Sequence, residues 1–169
     1  ESAEEADIKV SVTPAPILIE RPNCVAEKSG GLWCFFDAVN NNDFAVESVL
    51  VEITLANEDG SPLATKIAPA LLNRIPSKGR LPLAVYFLPP VPQTYRYSYI
   101  VTSAIPVEEE SGFIETEILT KNVIIAEDGL TAQLSARVFV NGIVGKKVQV
   151  WLAVEAKDQN GSLVGVNRM

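Results

Sequence analysis

The amino-acid sequence predicts an all-β protein built from antiparallel sheets. Val, Ile and Thr crowd its apolar stretches, and such β-branched residues lose rotamer freedom on a helix but fit a pleated surface. Eleven Pro and ten Gly fall at intervals between those stretches. Apolar residues make up 47% of the 169 residues and charged residues 21%, which is typical of a globular chain long enough to bury a core.

The first hundred residues contain seven short strand patterns. Pro14 and Pro16 separate the first two, as in an edge strand that breaks and restarts. Gly30-Gly31 and Asp59-Gly60 are turn pairs, and the second matches a common hairpin signal. The predicted strands are residues 8–12, 17–20, 32–39, 46–56, 62–67, 81–88 and 95–102. Seven strands separated by turns roughly every 8–12 residues predict an antiparallel sandwich.

A pattern of 38 residues occurs twice, because residues 31–68 match residues 132–169 at an offset of 101. Gly60-Ser61 aligns with Gly161-Ser162, and Val39-Asn40 with Val140-Asn141. The alternating strand also keeps its register, which matters because a slip of one residue sends every side chain to the opposite face. Its aligned residues are Val49, Val51, Ile53 and Leu55 with Val150, Leu152, Val154 and Ala156. We interpret the pattern as two copies of one domain.

The predicted domains are residues 1–105 and 114–169, joined by a linker at residues 106–113. Pro106, three consecutive Glu residues and a Ser-Gly pair leave that linker with nothing to pack. The second copy stops eight residues after Gly161, so its sandwich is incomplete and its sheet edge open. We favour a fragment of a longer protein. The alternatives are a homodimer that completes the open edge with a partner strand, or a smaller sheet that packs on the first domain.

The two cysteines, Cys24 and Cys34, flank a turn-forming stretch that would let them face each other across adjacent strands. The spacing predicts a disulfide and therefore an oxidising compartment. The alternative is a pair of buried free thiols in a cytosolic protein. A zinc site is disfavoured because the chain has no His, and two thiols leave the ion under-coordinated.

Charge and hydropathy restrict the partners. The net charge is −7, and the longest basic run is Lys146-Lys147, which disfavours nucleic acid and anionic membrane surfaces. No apolar run approaches the ~18 residues of a membrane span. The acidic start "ESAEEAD" suits a mature terminus whose export signal or anchor was removed. We therefore expect an exported protein, either extracellular or at the cell surface.

Residues 31–88 resemble the FxLYD-type family of small immunoglobulin-like domains from exported bacterial proteins. The similar segments are "GLWCFFDAVNN", "VLVEITLANEDGSPL" and "IPSKGRLPLAVYF", and residues 132–169 repeat the first half. The tyrosine and aspartate of the family's name fall on Ala56 and Asn57 here, and on Lys157 and Asp158 in the second copy. The resemblance implies two immunoglobulin-like antiparallel β-sandwich domains, the second incomplete, in a repeated surface module without catalytic residues.

The sequence predicts neither an enzyme nor a cofactor. Without His the commonest general base is absent, and no nucleophile or phosphate-binding motif occurs. The carboxylate pairs Glu115/Glu117 and Asp37/Asp43 are interpreted as solvated surface acids. The oxygens of residues 40–43 with Asp37, and those of residues 57–60, leave calcium as an alternative to plain turn chemistry.

The aromatic residues raise the possibility of a sugar-stacking surface. Trp33 and Phe35 form one period-2 stripe, while Tyr95, Tyr97 and Tyr99 form another. Such stripes are more typical of a core, and we expect the tyrosines to face inward. Trp151 is out of phase with its apolar neighbours and is expected either on an outer face or under the other domain.

These observations together predict a non-enzymatic extracellular or cell-surface module that acts as a spacer, an adhesion unit or a protein-binding unit. Two alternatives stay open. One is an assembly subunit whose open sheet edge is completed by a partner strand. The other is a carbohydrate-binding module with a glycan partner.

Overall fold

The computed structural model describes residues 13–108, 116–127, 131–141, 147 and 149–169. Every regular element in these residues is a β-strand, and every pairing is antiparallel, so the predicted all-β class is confirmed. The contacts divide the chain into two units. The first comprises Glu1–Glu109 with Trp151–Met169, and the second comprises Glu110–Val150. The predicted strand at residues 8–12 lies outside the described residues.

The first sheet of the first unit is organised around one central strand. Its strands are β1 (Leu18–Ile19), β2 (Asn23–Ala26), β3 (Leu32–Val39) and β7 (Arg80–Phe87). Strands β1 and β2 pair in succession along one edge of β3, and β7 pairs along the whole of the other. Pro22 lies in the break between β1 and β2, where its missing N–H removes a ladder donor.

The second sheet has the same plan around a longer strand. Its strands are β4 (Ala45–Ala56), β5 (Pro62–Pro69), β6 (Arg74–Ile75) and β8 (Arg96–Val107). Strands β5 and β6 follow one edge of β4, and β8 follows the other. Val107 pairs with Ala45 and Pro106 with Val46, so β8 extends two residues into the segment predicted as a linker.

The two sheets share one core. Alternate residues of β3, β4 and β7 are at most 8% exposed and belong to a single apolar cluster. These residues are Leu32, Cys34, Phe36 and Ala38 on β3, Val49, Val51, Ile53 and Leu55 on β4, and Leu81, Leu83, Val85 and Phe87 on β7. Because both sheets contribute, the first unit is a two-layer arrangement with an inner and an outer face on each sheet.

The loop after β3 is held by a buried polar side chain. The Asn40 amide donates to the carbonyl oxygens of Phe44 and Pro76 at 2.8 and 3.0 Å. Its Oδ1 accepts the backbone N–H of Asn42 at 3.1 Å. Such bonding is expected of a fully buried amide. Asn40 and Asn42 therefore bond to each other within the loop, which is the turn chemistry considered for residues 40–43.

The last two strands of the chain form a hairpin that belongs to the first unit. Strand β11 (Ala153–Lys157) pairs with β12 (Leu163–Arg168), and β12 contacts β2, β3 and β7. Leu163 is 7% exposed, and its carbonyl oxygen accepts a hydrogen bond from Asn23 Nδ2 at 2.9 Å. The contacts therefore group these strands with the first unit, whereas the sequence assigned them to a second domain of residues 114–169.

The second unit contains one described hairpin, β9 (Thr116–Ile125) with β10 (Ala132–Val140). The register shifts between Arg137 and Val138, which leaves Leu119 unpaired. Every residue of β9 is exposed. In the described part of the chain, no helix has the length and hydropathy needed to cross a membrane.

Candidate binding surface

Three side chains form a row across the outer face of the first sheet. Val25 pairs with Trp33, and Trp33 pairs with Tyr86, so one residue comes from each of β2, β3 and β7. Val25 is 41% exposed, Trp33 37%, and Tyr86 is half-buried. Trp33 and Phe35 were expected in the core. The expectation is wrong for Trp33, because Leu32, Cys34 and Phe36 occupy the inner face and strand residues alternate, whereas Phe35 is buried although it lies on the outer face.

Trp33 is held between two other rings. Its ring centroid lies 6.0 Å from that of Phe35, with the planes 10° apart, and 5.0 Å from that of Tyr86. Phe35 is itself buried although it lies outside the main core, on the face that β12 contacts. Contacts of this geometry stabilise an aromatic side chain by about 0.5–1.5 kcal/mol beyond burial. Trp33 is therefore exposed but fixed in position.

A carboxylate ties the two exposed rings together. Glu27 Oε1 accepts a hydrogen bond from Trp33 Nε1 at 3.0 Å, and Oε2 accepts one from the Tyr86 hydroxyl at 2.9 Å. Ser29 Oγ donates a third at 3.0 Å. These bonds, that of Tyr86 foremost, lower the pKa of Glu27. The side chain is therefore an anion at neutral pH that orients the indole and the phenol. We name Val25, Glu27, Trp33 and Tyr86 the aromatic surface.

The β2–β3 turn brings Glu27 to this position. Glu27 N–H donates to the Gly31 carbonyl at 2.8 Å, and Gly30 takes a φ of +86°, a backbone conformation that favours glycine. A Cβ at Gly31 would overlap the Tyr86 hydroxyl. The phenol therefore reaches Glu27 across a residue that has no side chain.

A disulfide braces the same hairpin. Cys24 and Cys34 are direct cross-strand partners with Cα atoms 4.1 Å apart, and they are bonded through sulfur, in agreement with the sequence prediction. The bond lies one residue from both Val25 and Trp33. It restricts the unfolded chain and holds β2 against β3, so it supports the aromatic surface from the inner side.

The remaining aromatic candidates lie elsewhere. Tyr95 and Tyr97 pack against the core as expected, and the ring of Tyr97 meets Phe36 edge-on with centroids 6.2 Å apart. Tyr99 is exposed, contrary to the expectation for that row. Trp151 is also exposed, as its phase predicted, with the Arg168 guanidinium 4.8 Å from its ring centroid.

The carboxylates weighed as catalytic or calcium-binding groups have local partners. Asp43 Oδ1 lies 2.7 Å from Lys78 Nζ, and Asp59 Oδ1 accepts the Ser61 N–H at 2.8 Å. Glu117 is exposed on β9, and Glu115 lies outside the described residues. Among the residues that the structure describes, no three His, Cys, Asp or Glu side chains come together as a metal site.

Asp37 belongs to a charged group beneath the last hairpin. Its Oδ2 lies 3.6 Å from Arg80 Nη1, while Arg80 Nη2 lies 3.9 Å from Glu155 Oε2, which also meets Lys157 Nζ at 3.0 Å. Asp37 Oδ1 is buried and accepts no hydrogen bond from the described residues. Burial raises the pKa of Asp37, although the Arg80 charge opposes that shift. Arg80 therefore links the first sheet to β11.

Comparison of the chain with protein families, curated proteins and solved structures gives no match.

Proposed function

We propose that the protein is a non-enzymatic module, extracellular or at the cell surface, that binds a protein partner through the aromatic surface. The observation that carries this proposal is Trp33, a large side chain that is 37% exposed yet fixed by two rings and a carboxylate. Trp and Tyr are enriched among residues that dominate protein interfaces. A side chain that is already ordered loses little entropy when a partner binds.

The disulfide supports the extracellular assignment. A bond between Cys24 and Cys34 persists in oxidising compartments and is rare in a reducing cytosol. The absence of His from the sequence leaves a binding role better supported than catalysis. We extend the proposal to an immunoglobulin-like, FxLYD-type sandwich for the first unit. Its two-layer core and the buried Asn40 after β3 support that assignment.

The test uses the full chain as bait. A photo-crosslinking amino acid at Val25 captures extracellular proteins, and the same group at Ile67, exposed on the second sheet, is the control. The affinity of a partner captured only from position 25 is then measured for the wild type, for Trp33→Ala and for the control Trp151→Ala. Trp151 is an exposed tryptophan outside the aromatic surface, so its variant should bind like the wild type. Removal of an interface anchor costs at least about 2 kcal/mol, so Trp33→Ala should weaken binding roughly thirtyfold or more. Equal affinity for the wild type and Trp33→Ala would exclude this surface.

The hairpin of the second unit favours a second candidate, assembly through strand pairing. The register places Val123 opposite Leu134 and Ile118 opposite Val138 on one face, while Asn122 opposite Ser135 belongs to the other. Ile118 and Val123 are both more than half exposed. An isolated two-stranded hairpin is marginally stable, and pairing with a second copy would add a strand at an open edge and place its side chains beside those of this face.

Light scattering over a range of protein concentrations separates the two candidates. A dimer that dissociates on Val123→Lys would support assembly, since a lysine on that face opposes burial. The matched variant Asn122→Lys, on the polar face of β9, should leave the mass unchanged. A monomer at every concentration would remove the strand-pairing candidate and leave the binding proposal intact.

A further inference from the structure

An open cavity of about 450 Å³ lies in the first unit, and none of its lining residues belongs to the aromatic surface. Three segments meet there: the break between β1 and β2, the β4–β5 turn, and the stretch that leads into β8. Its volume falls within the roughly 300–1,000 Å³ of small-molecule sites. Its polar lining consists of Arg21, Glu58, Gln93, Thr94, Tyr95 and Tyr97.

The lining presents polar groups that the fold itself leaves free. Within residues 13–108 and the other described segments, none of these six side chains has a hydrogen bond or an ion pair. The folded chain therefore does not require them for its own polar contacts. The hydroxyl groups of Tyr95 and Tyr97 are free in the same way, but their rings pack against the core, which fixes the position of these two side chains in the cavity wall.

The chemistry of the lining selects for a neutral, hydroxyl-rich ligand. Arg21 only donates hydrogen bonds and Glu58 only accepts them, while the amide, the hydroxyl and the two phenols do both. One cation and one anion cancel, so the lining offers no net attraction to an anion or a cation. The Tyr95 hydroxyl is protonated at neutral pH, since the ordinary pKa of a phenol is 10.0 and burial raises it further. The tyrosine rings supply amphipathic surface for the C–H face of a sugar.

We propose that this cavity binds a neutral sugar residue of a glycan, with Arg21 and Glu58 bonding its hydroxyl groups and Tyr97 contacting its ring. This goes beyond the proposed protein-binding function and uses none of the residues of the aromatic surface. The module would then have two separate sites, one for a protein and one for a neutral glycan.

The experiment applies the complete, oxidised chain to an array of neutral and acidic glycans. The neutral glycan that binds best is titrated in solution by saturation-transfer NMR. Arg21→Gln and Glu58→Gln should each weaken its binding roughly tenfold or more, because each loses hydrogen bonds to a charged group. Tyr97→Phe keeps the ring and should weaken binding less. Both charged groups are exposed, so these variants should fold, and retention of the near-ultraviolet spectrum checks this.

Glu52→Gln and Arg96→Gln are the matched controls, because they remove the same charges from the neighbouring strands β4 and β8 outside the cavity lining. They should leave glycan binding unchanged. The absence of neutral glycan binding at millimolar concentration, or equal binding by Arg21→Gln, Glu58→Gln and wild type, overturns the proposal. A glycan signal that disappears with Trp33→Ala alone would also overturn the proposal, because it would place the glycan on the aromatic surface. Displacement of the glycan by free glycine would do the same, because glycine is a zwitterion that would match the charges of Arg21 and Glu58.

Discussion

The β4–β5 and β11–β12 hairpins contain the same turn but pack through different faces. Gly60 and Gly161 take φ angles of +89° and +82°, and in each turn the glycine N–H donates over 3.0 Å to the residue three positions earlier. Both ladders also shift register at the equivalent place, between Leu55 and Ala56 and between Ala156 and Lys157. The local geometry is therefore duplicated together with its irregularity.

The carboxylate that accepts the serine N–H stands at a different position in each of the two turns. In the first turn Asp59 Oδ1 accepts the Ser61 N–H at 2.8 Å. In the second turn Asp158 Oδ1 accepts the Ser162 N–H at 2.8 Å, although Asp158 is equivalent to Asn57. A carboxylate thus satisfies the same backbone donor from either position, which shows that the turn depends on the bond and not on one residue order.

The two hairpins differ in which of their side chains are buried. Ile53 and Leu55 are in the core, whereas their equivalents Val154 and Ala156 are half-buried and exposed. The second hairpin instead uses positions equivalent to the outer face of the first. Among them, Ala153 packs against the core cluster, Glu155 meets Arg80, and Leu163 is buried where the first hairpin has the exposed Pro62. A repeated turn therefore does not imply a repeated environment.

The largest expected difference between the hairpins is at the position of Ile53. Ile53→Ala should lower the free energy of unfolding by about 2–5 kcal/mol because it leaves a cavity in the core. Val154→Ala, at the equivalent half-buried position, should lower it by less than about 1 kcal/mol. Guanidinium unfolding of the oxidised protein measures both. Equal losses would contradict the difference in packing.

At a second pair of equivalent positions, the larger loss of stability is expected in the second hairpin. Leu163→Ala should destabilise the second hairpin by about 2 kcal/mol, because its side chain is buried against the first sheet. Pro62→Ala, at the equivalent exposed position, should change stability by less than about 0.5 kcal/mol. Amide exchange in β12 and β5 reports the local opening of each hairpin. Unchanged exchange in β12 of Leu163→Ala would show that the hairpin does not depend on this contact.

The turn glycines should behave alike. A Cβ at Gly60 or Gly161 would meet no atom within 4 Å, so Ala at either position adds only the strain of a positive φ. That strain is worth about 1 kcal/mol, and amide exchange of each hairpin should show equal losses for Gly60→Ala and Gly161→Ala. A clear inequality would mean that the turns differ in more than their packing.

The smallest expected effect is the pH dependence of the link between Asp37 and the second hairpin. The folded pKa of Asp37 is raised above its ordinary value of 3.8, so the folded protein binds this proton more tightly than the unfolded chain does. The contribution of Asp37 to the free energy of unfolding therefore increases as pH falls through the raised pKa, and is lost as pH rises. Asp37→Asn should remove this dependence without loss of stability at neutral pH.

Urea unfolding across the acid range checks this sign. Asp43→Asn is the control, because the hydrogen bond and charge of Lys78 lower the pKa of Asp43. The contribution of Asp43 is present at neutral pH and is lost as pH falls through its lowered pKa. A variant Asp37→Asn that is less stable at neutral pH would show that the Arg80 ion pair outweighs burial.

Local features could be read from the sequence. The Asp-Gly and Asn-Gly turns, the β3 strand and the Cys24–Cys34 disulfide depend on residues close together in the chain. The end of the first predicted domain was misplaced, because Pro106 is tolerated within β8. Alternation alone does not specify which face of a strand is buried, since that depends on the partner sheet.

The aromatic surface needed information that the chain order does not contain. Trp33 and Phe35 were assigned to the core, yet Asp37 on the same alternating set was a sign that this face is the outer one. Glu27 carried no sequence signal beyond a turn-forming context. Its partner Tyr86 is 59 residues away, and their hydrogen bond exists only because β7 pairs with β3.

The close approach of the Tyr86 phenol to Gly31 has a consequence for how such a module can diverge. A single methyl group there would displace the Tyr86 phenol, and the indole would then lose one of the two neighbours that hold it. Descendants of this sequence that retain a glycine at this turn can keep the tryptophan poised outward, whereas those that replace it must find another support for the ring. A glycine at position 31 is therefore a condition for the position that the Tyr86 phenol takes beside Trp33.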